Sequence, residues 1–386
     1  MRNRTDVQSS ADGASDSGHM TSKKPTQLAA LRRTVGRFAL SGGALLVALL
    51  AVEVCVRALG ISAPQRALSV GRDRTPSPDP ILRFVNLPGG GRTLTYLSHA
   101  DGAVFTATHN INALGLRGPE TTRAKPPGVK RILCLGDSFT FGFGVDDHET
   151  MPAALQRAVE GLEPPYEVLN GGVPAYDTEQ EVRLLLTRGL SFEPDLVLLV
   201  WYLNDVSKRS GPTGELTDRP PASVRWTAPN QEGVLPTLRE WSRALDILCS
   251  RIYRAGYREY KPAATAQLYD AARPGWRRSQ QALLRAQRLC RENGIEFAMV
   301  LYPELARGGE YLASHEPYQA VSAFCRENGI PCLDLEPAFL NQDMVSLRVH
   351  ATDAHPNGRG HAIAGERVAS WLLESGLLPE RDLTRR

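Results

Sequence analysis

Ser138 stands in "RILCLGDSFTFGFG" (residues 131–144), just past a short apolar run and preceded by Gly136 and Asp137. A hydroxyl there acts as a nucleophile only when a base takes its proton and a further group fixes the tautomer of that base. Among eight histidines, His355 in "ATDAHPNGRGH" is the candidate base, with Asp353 two residues before it. An aspartate and a histidine this close can share a hydrogen bond while the other ring nitrogen reaches outward. Acyl transfer also needs donors directed at the oxygen that becomes negative. "VLNGGVPAYDT" offers a backbone N–H at Gly172, and "WYLNDV" offers the side-chain amide of Asn204. Each segment alone has an ordinary reading, since Ser, Asp and Gly are common turn formers. A loop histidine before Pro356 and Asn357 can simply precede a helix, and His361 fits a helix position near the site better than a second base.

Other chemistries find less support. The stretch after residue 131 lacks the Lys-Ser/Thr pair of a phosphate-cradling loop, and Thr140 stands where a Gly-x-Ser-x-Gly elbow needs glycine. His355 and His361 have no carboxylate or cysteine at metal-ligand spacing, so neither metal nor cofactor is expected. A net charge of +3 is only mildly basic and gives no reason to expect a nucleic-acid partner, which would need a concentrated basic face. Of six cysteines, Cys55 and Cys134 fall in apolar segments, while Cys249, Cys290, Cys325 and Cys332 could pair, with connectivity open.

The elements that must carry these residues are regular from residue 131 onward. Apolar runs at 131–136, 166–170, 195–202, 296–303 and 331–335 predict buried strands, and amphipathic stretches between them predict helices. "CRENGI" occurs at 290–295 and again at 325–330, each time as a helix stop before a strand. Such alternation predicts an α/β fold with helices on both faces of a parallel sheet. Ser138, Gly172 and Asn204 then follow strands one, two and three, so one sheet edge would gather them. Residues 206–275 form an insertion after the third strand. There Leu238, Trp241, Leu245, Leu248 and Ile252 recur at helical spacing, predicting a helix packed on the sheet, with a mobile lid as the alternative.

The N-terminus differs. Residues 1–35 read as a disordered basic tail and 36–57 as a transmembrane anchor, because Lys23, Lys24, Arg32, Arg33 and Arg37 precede the apolar stretch. A cleaved signal peptide and a buried soluble helix are the alternatives, and either membrane-targeting reading places the remainder outside the cytoplasm, periplasmic or at the cell surface. Residues 58–125 read as a linker and short β-rich lead-in, and 126–378 as the catalytic domain.

In order, "GDSFTFG", "NGGVPAY", "LND" and "DAHPN" resemble the four blocks of the SGNH (GDSL-like) hydrolases, over roughly residues 126–375. That resemblance implies a flavodoxin-like three-layer sandwich with a five-stranded parallel sheet. It also implies Ser138 as nucleophile, His355 as general base, and the Ser138 N–H, the Gly172 N–H and the Asn204 side chain as oxyanion donors. Two positions depart from the pattern. Tyr202 stands where the family usually has glycine, and Thr352 where it usually has the acid, which moves that role to Asp353. The expected activity is a serine esterase cleaving an O-acyl ester on a carbohydrate or lipid through an acyl-enzyme. An extracytoplasmic polysaccharide O-acyltransferase with the same residues and a non-catalytic carbohydrate-binding protein are the alternatives.

Overall fold

The structure is a computed structural model that describes residues 24–60, 68–97, 104–206, 238, 241–270, 273–305, 315–350 and 353–379. The tail before residue 24, the start of the insertion at 207–237, and Thr352 therefore lie outside the described residues. The chain divides into two units, Met1–Leu59 and Gly60–Arg386.

The described residues of the first unit form one helix, α1 (Lys24–Ala58). It begins ahead of the expected boundary at residue 36, because the segment before it carries good helix formers such as Leu28, Ala29, Ala30 and Leu31, and Pro25 is tolerated in a first turn. Its stretch Leu31–Ala58 is long and apolar enough to cross a membrane, and none of that apolar window is buried in protein. Glu53, the acid within it, pairs with Arg57 one turn on at 2.6 Å.

The second unit opens with strands β1 (Leu68–Pro76), β2 (Phe84–Leu97) and β3 (Val104–Asn110), an antiparallel sheet in that order. The linker expected at the start of 58–125 thus contains a strand: Val70 is exposed while Asp73 is buried, a pattern without the apolar alternation that marks a strand in sequence.

The main sheet follows. Its strands are β4 (Lys130–Gly136), β5 (Tyr166–Asn170), β6 (Leu196–Trp201), β7 (Glu296–Leu301) and β8 (Cys332–Asp334). All are parallel in the order β5-β4-β6-β7-β8, the α/β sandwich expected from the alternating pattern. The chain moves from β4 to one neighbour and then crosses to the other, so the strand order reverses at β4. Ligands bind beyond the carboxyl ends of strands at such a reversal.

Successive residues of these strands face opposite layers. Leu133, Leu135, Val197, Leu199, Trp201 and Met299 pack under α4 (Thr178–Thr187), α6 (Pro274–Glu292) and α7 (His315–Glu327). Ile132, Cys134, Leu198, Val200 and Val300 pack under α3 (Met151–Ala158), the short α8 (Glu336–Phe339) and α9 (Gly358–Glu374). Both faces of the central strands are fully covered, which is why they read as unbroken apolar runs. Each large side chain so buried contributes about 1.5–3 kcal/mol.

Helix α5 (Arg243–Leu268) lies in the insertion. Its apolar row does not pack as a stripe: Leu238, Trp241, Leu248 and Ile252 are exposed. The covered side runs instead through half-buried Leu245, buried Cys249 and half-buried Tyr253, one turn apart. All six cysteines are free thiols, so the four candidates do not pair in this structure.

Candidate active site

β4 ends at Gly136, and Asp137 then caps the one-turn helix α2 (Ser138–Phe141), accepting the Phe139 N–H at 2.8 Å. Ser138 is therefore the first residue of a helix at the carboxyl edge of the strand where the order reverses. Its backbone N–H has no acceptor among the described residues.

His355 and Asp353 lie on a short strand, β10 (Asp353–Pro356), paired antiparallel with β9 (Arg348–His350), where the sequence suggested a loop. Asn357 caps the following helix by accepting the Gly360 N–H at 3.1 Å, which fixes where β10 must end. The hairpin carries His355 onto α2: its Nε2 lies 2.8 Å from Ser138 Oγ, across 217 positions of sequence. On the other side of the ring, Nδ1 lies 2.5 Å from Asp353 Oδ1. The same carboxylate oxygen accepts the backbone N–H of His355 at 3.1 Å. That second bond shows how an acid two residues before the histidine can serve. Residues two apart on a strand face the same side, so both groups meet there, and Oδ1 bridges backbone and ring. Burial pushes the Asp353 carboxyl upward, but its bonds from His355 and its attraction to that ring outweigh burial and hold it below the usual carboxylate range.

A donor Nδ1–H on an ionised carboxylate leaves Nε2 with a lone pair for the Ser138 hydroxyl, the tautomer that general-base chemistry needs. The ring sits among aromatic neighbours, with centroids 5.3 Å from Phe139 and 5.0 Å from Phe143. Tyr202 stacks on Phe139 at 3.8 Å. A bulky residue is accommodated there because its ring covers Phe139 face to face.

Asn204 is half-buried in the turn after β6, beside the end of β4. That turn is tied down from both ends: Asp205 N–H donates to Tyr202 O at 3.0 Å, and Tyr202 N–H donates back to Asp205 Oδ2 at 3.3 Å. Tyr269, just beyond α5, donates to Leu203 O at 3.0 Å, so the insertion braces the same turn.

Gly172 does not stand as expected. Its N–H donates to Asn170 Oδ1 at 3.0 Å, which directs it along its own loop. Its glycine identity serves a close approach instead, because a Cβ there would lie 2.4 Å from the Phe141 amide nitrogen. The same loop holds Ala175 at φ 76°, an uncommon conformation for a residue with a Cβ, and its N–H has no acceptor among the described residues. The sequence carried no signal for Ala175, since strain of this kind appears only once the loop is folded.

His361 is fully buried in α9, and burial, together with the positive Arg117 and the nearby His355, pushes it down to about 3. It stays neutral, and among the described residues neither ring nitrogen makes a hydrogen bond, to Ser138 or elsewhere. Among the described residues, no group of three or more His, Cys, Asp or Glu side chains is placed to hold a metal ion.

Sequence reasoning missed the contribution of the lead-in sheet. Asn86 donates to Gly172 O at 3.0 Å, and Arg74 to Pro174 O at 3.1 Å. Buried Arg117 donates to Phe141 O at 3.1 Å and Gly142 O at 2.9 Å, at the end of α2, while its Nε pairs with Asp147 at 2.7 Å. A signal existed in Arg117, a charged residue in "NALGLRGPE" with small neighbours, but its partners are spread over separate loops.

Residues 134–363, more than half of the chain, match the GDSL-like Lipase/Acylhydrolase family. Among the solved structures similar to this chain, three illustrate the range. One is a member of the lipolytic protein G-D-S-L family from Veillonella parvula, at 16% identity and TM-score 0.37, covering 67% of this chain and 100% of that one. The carbohydrate acetylesterase Est24 from Sinorhizobium meliloti matches at 14% identity and TM-score 0.37, covering 64% and 100%. The aryl esterase of M. smegmatis has the same four values. No curated protein matches the sequence.

Proposed function

The chain belongs to the GDSL-like lipase/acylhydrolase family and is an ester-hydrolysing enzyme, and on that premise we propose that Ser138, His355 and Asp353 carry the reaction. The observation that supports this most directly is the continuous chain of contacts, Asp353 Oδ1 to His355 Nδ1 at 2.5 Å and His355 Nε2 to Ser138 Oγ at 2.8 Å.

His355 Nε2 takes the hydroxyl proton as Oγ forms a bond to the ester carbonyl carbon. The carbonyl oxygen becomes negative and is held by the N–H of Ser138, the side-chain amide of Asn204 and the loop after β5. In that loop the donor is the N–H of Ala175, because the Gly172 N–H is already engaged with Asn170. The carbon–oxygen bond to the alcohol then breaks as the imidazolium returns its proton to the leaving oxygen. Water repeats the sequence on the acyl-serine, losing its proton to Nε2 and releasing the carboxylic acid. Asp353 keeps the ring in one tautomer and stabilises the imidazolium. The side chains of His355 and Asp353 remain 25% and 20% exposed, so water reaches the acylated serine.

The substrate on this reading is an O-acyl ester of a carbohydrate or lipid. The unit 126–378 is the catalytic domain, and α1 anchors it with the domain on the extracytoplasmic side. The basic residues ahead of the apolar stretch support that orientation. With membranes intact, protease added on the cytoplasmic side should leave the domain whole; its digestion would refute the orientation.

The full chain in detergent, beside Ser138→Ala, tests the chemistry with a short-chain aryl ester. Hydrolysis and phosphonate labelling by the first and neither by the second is the expected result. Full activity in Ser138→Ala would sink the assignment. Release that needs an added sugar acceptor would make the enzyme a transferase.

A further inference from the structure

Asp353 is held from two sides. Oδ1 faces His355, and Oδ2 accepts a hydrogen bond at 3.0 Å from the hydroxyl of Tyr96, which lies on β2, 257 positions away and outside the family-matched segment. We propose that Tyr96 is a positioning residue for ester hydrolysis, fixing the Asp353 carboxylate so that Oδ1 stays on His355 Nδ1; this rests on the reading of Ser138, His355 and Asp353 above.

A carboxylate pinned through one oxygen can still swing about its terminal torsion, which is broad. A second donor on Oδ2 removes that freedom. The phenol is well placed to do this because its own ring is fixed. Tyr96 is buried, stacks on Phe105 with centroids 4.7 Å apart, and packs in a small apolar cluster with Leu94, Val145 and Val349. That cluster joins β2, the loop after the nucleophile and the strand paired with β10, so its position is set by three of the elements around the site. Room for the hydroxyl comes from Gly144, where a Cβ would lie 2.7 Å from the Tyr96 oxygen. Burial, and then the negative charge of Asp353, push the phenol well above its ordinary range, so it remains a protonated donor. His355 faces the pair at Asp353 Oδ1, and His350 faces it from β9, opposite Asp353 in the hairpin and 5.9 Å from the Tyr96 ring.

The test measures kcat and KM against pH for the full chain and Tyr96→Phe, with a short-chain aryl ester. The variant keeps the ring and loses only the donor. We expect kcat/KM to fall about tenfold near neutral pH, mostly in kcat. The acid limb should also move upward by about half a pH unit, because the Asp353–His355 pair then keeps its proton to higher pH. A purely structural role would scale the whole profile and leave the limb in place. Adding Tyr96→Phe to Asp353→Ala should cost less than about twofold, since the group it acts on is gone. An unmoved limb, or an undiminished loss in the Asp353→Ala background, overturns the proposal. If Tyr96→Phe fails to fold, Tyr96→3-fluorotyrosine keeps the shape with a stronger donor, and the limb must move downward; any other result overturns the proposal. Ser138→Ala in the same assay separates the two levels. Activity there removes the underlying reading and this proposal with it, whereas an inactive Ser138→Ala with an unmoved Tyr96→Phe limb removes Tyr96 alone.

Discussion

Removing the Asp353 side chain should cost activity by an amount the geometry sets. Oδ1 takes the ring Nδ1–H at 2.5 Å and the His355 backbone N–H at 3.1 Å. A charge-assisted hydrogen bond of this kind contributes about 1.5–3 kcal/mol. Partial exposure of both side chains, 25% and 20%, screens it toward the lower half of that range. At about 1.4 kcal/mol per decade, Asp353→Ala loses about tenfold from the bond itself. Loss of tautomer control adds roughly one to two further decades, because a ring protonated at Nε2 cannot accept from Ser138. The expected fall in kcat/KM is thus about 10²–10³, with KM changed by less than about threefold. Asp353→Asn should lose less, about tenfold. Its amide oxygen can still accept from the ring and the backbone while its nitrogen donates to the Tyr96 oxygen, so orientation survives while the charge and the acceptor of the Tyr96 hydroxyl are gone. The assay is steady-state hydrolysis of a short-chain aryl ester by the three proteins, with thermal melts to show that each is folded. An Asp353→Ala protein within about threefold of the parent would refute the reasoning, as would folded Asn and Ala variants of equal activity.

Two further outcomes follow from buried groups near the site. Gly172→Ala puts a Cβ 2.4 Å from the Phe141 backbone nitrogen, which cannot move without shifting α2, so kcat should fall by about 10²-fold for a stability loss of only about 1–3 kcal/mol; melts and kinetics on the same sample check it, and unchanged kcat would contradict the contact. Glu181 is fully buried on α4, and burial, with Asp137 and Asp177 adding to it, raises its carboxyl well above the usual 4.5. The fold therefore favours the protonated acid, and its contribution to stability is whole below pH 4.5 and declines as pH rises toward the folded-state value. Glu181→Gln keeps the neutral shape at every pH, so its advantage over the parent in urea unfolding should grow from pH 4.5 to 8. A constant difference across that range would show that Glu181 does not titrate as buried.

Most of the main sheet was legible in the amino-acid sequence for a local reason. A strand covered on both faces must be apolar at nearly every position, and a helix beside it must be apolar every third or fourth, so β4, β6 and α6 announce themselves within a few residues. Ser138 was legible because a polar residue directly beyond such a strand has one place to go, the carboxyl edge. His355 and Asp353 were legible as a pair only through their nearness in sequence. What tertiary structure alone decided is everything that depends on packing between distant segments. The exposure of Leu248 and Ile252 on α5 is one case, since helical spacing states that a face exists and not that anything covers it. The turning of the Gly172 N–H onto Asn170 is another, because the direction of a peptide follows from loop torsions that no residue type dictates. The sheet β1–β3 is the largest case. Its residues carry no clean alternation, so nothing local marked Tyr96 as different from any other strand tyrosine. Only the packing of that sheet against the β9–β10 hairpin brings its hydroxyl to Asp353.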